Sequence, residues 1–133
     1  MRVEILLVED DFVLNLEFRE NLELFGYVVE SVYCPEAAIE ALNRRQYLSA
    51  LLTDIDLGAG LDGFDVASHA RAAYPDLPVV FISGSKAADH GVRGVAGSIF
   101  IAKPFHPHQI VAALEQLIHG EAPRPATTAS AGR

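Results

Sequence analysis

Short, almost wholly apolar runs alternate along this chain with longer amphipathic stretches, and that alternation limits the fold more than any other feature. Val3–Val8, Tyr27–Val32, Ala50–Thr53, Val79–Ser83 and Ser98–Ala102 read as strands. A strand that is apolar on consecutive residues is covered on both faces, as in parallel sheets flanked by helices. Between the runs lie helical patterns. Asp10 or Asp11 caps the first, whose stripe Leu14, Phe18, Leu22, Phe25 has helical spacing and stops at Gly26. Pro35 opens the second, with Ala38, Ile39 and Leu42 on one face. The third spans Phe64–Ala73, a short fourth is expected over Lys86–Arg93, and the last, Pro107–His119, turns Ile110, Leu114 and Leu117 inward. Five strands alternating with five helices predict an α/β fold, a doubly wound five-stranded parallel sheet in the order 2-1-3-4-5. One domain is expected over residues 1–120, with a disordered, proline-containing tail over 121–133.

Composition narrows the function. A net charge of -8 opposes a nucleic-acid partner, which needs clustered Lys and Arg. No run of apolar residues is long enough to span a membrane. The N-terminus, MRVEILLVEDD, reaches acids too early for a signal peptide. A single cysteine, Cys34, excludes an internal disulfide and suits a cytoplasmic location; it reads as a half-buried small residue before a helix.

Ligands of open α/β sheets bind beyond the carboxyl ends of the strands, where strand order reverses. There the first strand presents Glu9, Asp10 and Asp11, the third Asp54 with Asp56 beyond it, the fourth Ser83 and the fifth Lys103. In the order 2-1-3-4-5, Glu9, Asp10 and Asp54 converge, with Ser83 and Lys103 opposite. Converging carboxylates repel one another, and a hard cation such as Mg²⁺, with its preference for oxygen ligands, removes that cost. Lys103 and Ser83 supply a charge and a donor for phosphoryl oxygens, and a carboxylate can itself accept a phosphoryl group. Helix capping accounts for one of the acids near Glu9 but not for the matching acid on the third strand. His106 and His108, two apart around a proline, are poor metal geometry and read as surface loop. Arg44–Arg45 reads as a solvated helix end, and His119 as a favourable charge at a helix C-terminus.

The ordered set LLVEDD, LLTDIDL, DGFDVA, VVFISG and IAKPF resembles the receiver domain of two-component response regulators over about residues 3 to 119. The resemblance implies phosphorylation of Asp54 by a histidine kinase or histidine phosphotransfer protein. It implies Mg²⁺ held by Glu9, Asp10, Asp54 and the backbone carbonyl of Asp56. Ser83 would be the switch hydroxyl, Phe100 the switch aromatic, Lys103 the phosphate-binding lysine, and Lys103–Pro104 a cis peptide bond. A downstream protein or a second copy would bind the face made by the fourth helix, fifth strand and fifth helix, where Val111 and Ile118 lie off the core stripe. A stand-alone signal-relay protein is expected, without a DNA-binding output of its own and without enzymatic turnover.

Three features depart from the common pattern. The loop IDLGAGLDG is one residue longer and carries Gly58 where proline is usual, which predicts greater mobility. Phe100 replaces a tyrosine and has no phenolic hydrogen bond to give. Asp56 is acidic where many relatives are neutral, which bears on the lifetime of the phosphoryl group. Other readings compete. DIDLG also resembles the nucleophile motif of haloacid-dehalogenase-type phosphatases, with Asp54 as nucleophile and Asp56 as acid–base, but that family places the motif on its first strand. A flavin-binding module would need a Ser-, Thr- and Gly-rich loop where EDDF stands. An unphosphorylated pseudo-receiver has no need of the full acid set.

Overall fold

The computed structural model describes residues 2–84 and 93–120. Its strands are β1 (Glu4–Val8), β2 (Val28–Val32), β3 (Ala50–Asp54), β4 (Val79–Ser83) and β5 (Ile99–Ala102). Its helices are α1 (Phe12–Leu24), α2 (Pro35–Arg44), α3 (Gly63–Ala73) and α4 (Pro107–His119). The strands form one parallel sheet in the order β2-β1-β3-β4-β5, as the alternation requires. Four helices, not five, stand among the described residues; the helix expected over Lys86–Arg93 falls on residues 86–92, outside them, as does the tail from Glu121.

Side chains alternate across each strand and divide the core in two. Leu6, Val8, Leu51, Val79 and Phe81 pack with Ala38, Ala41 and Leu42 of α2 and with Phe64, Ala67 and Ala70 of α3. Ile5, Leu7, Leu52, Val80 and Ile82 pack on the other face with Phe18 and Leu22 of α1 and with Ile110, Ala113 and Leu114 of α4. Each full burial of such a side chain contributes roughly 1.5–3 kcal/mol, which is why these runs became strands despite costly long-range pairing.

The helix ends follow the sequence signals with small shifts. Asp11, rather than Asp10, caps α1, its carboxylate accepting from Leu14 N at 3.0 Å. Asp62 and Asp65 form a reciprocal capping box at α3, which therefore starts at Gly63. The α1 stripe is shorter than its periodicity suggests: Phe18 and Leu22 are buried, but Phe25 is exposed and rests against Tyr27. Cys34, the residue before α2, is exposed rather than half-buried. Of Arg44–Arg45, expected as a solvated helix end, Arg44 is exposed but Arg45 is largely covered. Both arginines pair with Glu30, and Arg45 also with Glu4, linking α2 to the amino end of β1 and to β2. His106 is exposed and caps α4, its Nδ1 accepting from His108 N at 3.1 Å. Val111 and Ile118 are not separate from the core; both are partly buried against its α1/α4 side.

Gly63 joins the fold to what lies at the end of β3. A Cβ there would stand 2.3 Å from the Asp54 carbonyl oxygen and 2.8 Å from Ile55 Cα. Gly63→Ala is therefore expected to destabilise the chain by about 1–3 kcal/mol through forced backbone displacement. Urea unfolding measures it, and an unchanged midpoint would contradict this close approach.

Candidate functional site

The carboxyl ends of β1, β3, β4 and β5 meet on one edge of the sheet. Parallel pairing sets Asp54 beside Ile82 and Ser83 beside Ala102, and Lys103 N donates to Ser83 O at 2.9 Å. Lys103 thus leaves β5 with β4 between it and β3, and is followed by a cis bond to Pro104, as the resemblance implies.

Glu9, Asp10 and Asp54 place one carboxylate oxygen each within 4.8 Å of one another. Glu9 and Asp54 are buried and Asp10 is exposed. Asp54 Oδ1 accepts from Asp56 N at 3.1 Å, and its Oδ2 takes the Lys103 ammonium at 3.1 Å. Glu9 Oε2 accepts from Asp11 N at 2.9 Å. Its Oε1 has no hydrogen-bond partner although it is buried, and Lys103 Nζ is 3.8 Å away. The Glu9 carboxyl is raised to about 8: burial is the largest cause and Asp54 adds to it, while the Asp11 N–H and the Lys103 charge pull the other way. Burial works against the Lys103 charge as well, but the hydrogen bond to Asp54 and the charges of Asp54, Glu9 and Asp10 outweigh it and raise its pKa.

This set fits a small hard cation. All the donors are oxygens, and a buried carboxylate oxygen that accepts no hydrogen bond is the atom that a cation would satisfy. Of the other expected residues, wholly buried Ser83 donates its hydroxyl to Asp56 Oδ2 at 3.2 Å. Phe100 lies beside Phe81 in the register, half-buried against the α2/α3 core rather than among the acids.

Two supporting residues escape a sequence reading. Asn15, buried in α1, donates from Nδ2 to Glu9 O at 3.0 Å and to Val32 O at 3.1 Å, so it holds the end of β1 and the end of β2 together. An asparagine inside a helix costs propensity, and that cost was the available signal. Arg93 pairs with Asp62 at 2.7 Å and with Asp65 at 3.4 Å, its guanidinium 4.8 Å from the centre of the Phe64 ring. It ties the segment after β4 to the end of the 55–62 loop, where Ile55 and Leu57 are buried and Gly58 and Gly60 take positive φ.

Comparison with known proteins bears on this arrangement. The sequence matches the response regulator receiver domain family over residues 5–115. The chain belongs to that family. Receiver proteins of known structure share its fold closely. One from Sinorhizobium medicae is 36% identical with a TM-score of 0.86, covering 89% of this chain and 95% of that one. The receiver domain of the sensor histidine kinase PA1611 from Pseudomonas aeruginosa, solved with magnesium coordinated in its active-site cleft, is 26% identical with a TM-score of 0.77, covering 90% and 99%. Among curated regulators, CssR from Bacillus subtilis is 33% identical over 92% of this chain and 56% of its own length. FleR from Pseudomonas aeruginosa is 30% identical over 92% of this chain and 26% of its own. The chain therefore spans between about a quarter and about half of the first curated relatives it matches. The family match leaves the dehalogenase-type phosphatase reading of Asp54 and Asp56 without support. Among the described residues of this receiver domain, no helix is long and apolar enough to cross a membrane.

Proposed function

We propose that this receiver domain accepts a phosphoryl group on Asp54 from a histidine kinase or histidine phosphotransfer protein, in a Mg²⁺-dependent reaction, and passes the signal on through a changed protein surface. The observation that carries the reading is the cluster of Glu9, Asp10 and Asp54, with a buried Glu9 oxygen that accepts no hydrogen bond and with the Lys103 ammonium beside Asp54 and Glu9. Glu9, Asp10, Asp54 and the backbone carbonyl of Asp56 would hold Mg²⁺. Bound there, the ion supplies charge neutralisation for a phosphoryl group approaching a carboxylate.

The residues of the chain do the rest. An oxygen of Asp54 attacks phosphorus; an O–P bond forms as the P–N bond of the donor phosphohistidine breaks, and the imidazole leaves. Lys103, already 3.1 Å from Asp54, stabilises the charge gathering on the phosphoryl oxygens. Ser83 then donates its hydroxyl to the new group, and Phe100 turns into the space behind it. This alters the face formed by β5, α4 and the segment before β5, to which a downstream protein or a second copy binds. The domain takes up one phosphoryl group per signalling cycle instead of turning over a substrate.

The cation is tested by thermal unfolding. At ten times its dissociation constant, Mg²⁺ adds about 1.4 kcal/mol of stability. For a chain of this size that raises the midpoint by roughly 5 °C. The Asp10→Ala, Asp54→Ala double variant loses the response. No shift in the wild type, or an equal shift in the double variant, would contradict the proposed site.

A further inference from the structure

Asp56 lies between the acceptor and the switch. Its backbone N–H is bound to Asp54 Oδ1 at 3.1 Å, while its exposed side chain takes the hydroxyl of Ser83 at 3.2 Å. Ser83 stands at the end of β4 with no solvent exposure. A serine hydroxyl has one proton to donate. In the structure that proton is directed at Asp56, not at the carboxylate that would carry the phosphoryl group.

From this geometry we infer that Asp56 is a positioning residue that holds the Ser83 hydroxyl and opposes the phosphorylated state. The inference rests on the reading of Asp54 as acceptor and Ser83 as switch. For Ser83 to bind a phosphoryl oxygen on Asp54, its bond to Asp56 has to break, so part of the gain from the new bond is offset by the loss of the old one. A carboxylate is a strong acceptor, and the offset is larger than it would be with a neutral side chain at position 56. The same carboxylate also repels an anion on Asp54 through charge alone, and that second effect does not need Ser83. The two are separable because only the first makes residues 56 and 83 non-additive.

The experiment is a titration of the full chain with beryllium fluoride, a phosphoryl mimic, in saturating Mg²⁺. Asp56→Ala is expected to bind the mimic about fivefold more tightly, equivalent to about 1 kcal/mol. In a Ser83→Ala background the same substitution is expected to change affinity by less than about twofold. Equal tightening in both backgrounds would overturn the inference, since charge repulsion alone then suffices; so would unchanged or weaker binding by Asp56→Ala. A second measurement does not depend on how Ser83→Ala folds. In Asp56→Ala without the mimic, the amide resonance of Ser83 should move toward its position in the mimic-bound wild type, and failure to move would overturn the inference. Binding retained by Asp54→Ala, or absent from the wild type, would overturn the acceptor reading and the inference with it. Binding lost in Asp54→Ala but tightened equally in both Asp56→Ala backgrounds would overturn the inference alone.

Discussion

Asp54→Asn is expected to abolish phosphoryl uptake. Incubated with a small acyl phosphate and Mg²⁺, the wild-type chain should gain one phosphoryl group by intact mass, and the asparagine variant none. The substitution is nearly isosteric at a buried position and keeps an oxygen to accept the Asp56 N–H, so the fold is retained. It removes the anionic oxygens that attack phosphorus, and an amide cannot replace them as a nucleophile. It also leaves Lys103 without the carboxylate 3.1 Å away. Asp56→Asn, by contrast, should still take up the group, because the contribution proposed for residue 56 to the cation is its backbone carbonyl; the expected change is in the rate at which the group is lost. Uptake by Asp54→Asn together with loss of uptake in Asp56→Asn would reverse the assignment.

Phe81→Ala has the largest expected effect on stability. Phe81 is wholly buried in the middle of β4, its ring 5.0 Å from that of Phe64, which in turn lies under Arg93. Truncation loses the transfer free energy of the ring and leaves a cavity that α3 cannot close, at a cost of about 3–5 kcal/mol. Against a typical total of about 5–15 kcal/mol, that is a large share of the fold's stability. Urea unfolding should show the midpoint falling sharply with an unchanged slope. Leu24→Ala, on a side chain that is 87% exposed, should change it by no more than about 0.5 kcal/mol. A loss below about 1 kcal/mol for Phe81→Ala would mean that the α2/α3 side of the core is not packed as described.

The contrast between those two residues shows how the fold could be read from the chain. Phe81 belongs to a run that is apolar on successive residues, and such a run has few places to go except the centre of a parallel sheet. The five strands are legible for that reason, and the strand order they imply already brings Glu9, Asp54 and Lys103 to one end of the sheet. Helix stripes were less reliable at their ends. Phe25 keeps the spacing of Phe18 and Leu22 but comes after the last turn of α1, where the chain swings away at Gly26.

Polar residues were the harder part. Asn15 reads as a surface residue, and nothing local says that the carbonyls of Glu9 and Val32 converge on it. Arg45 looks like the solvated end of a helix because its partners, Glu4 and Glu30, are distant in sequence and come near only through the β1–β2 pairing. Arg93 is similar, since its partners Asp62 and Asp65 are themselves already explained as helix caps. The bond from Ser83 to Asp56 joins the ends of two strands, and only their relative height decides whether a hydroxyl reaches a carboxylate. Hydrophobic pattern reports burial well; it does not report which polar groups share a buried corner.

The location of the phosphoryl group is the most direct test of the account. Borohydride reduces an aspartyl phosphate to homoserine and so marks the residue that carried it. After phosphorylation with a small acyl phosphate in Mg²⁺, reduction and peptide mass mapping, homoserine is expected at position 54 and nowhere else. Homoserine at position 10 or 56, or acid-labile phosphate on His106 or His108 in its place, would contradict the assignment of Asp54 as the acceptor.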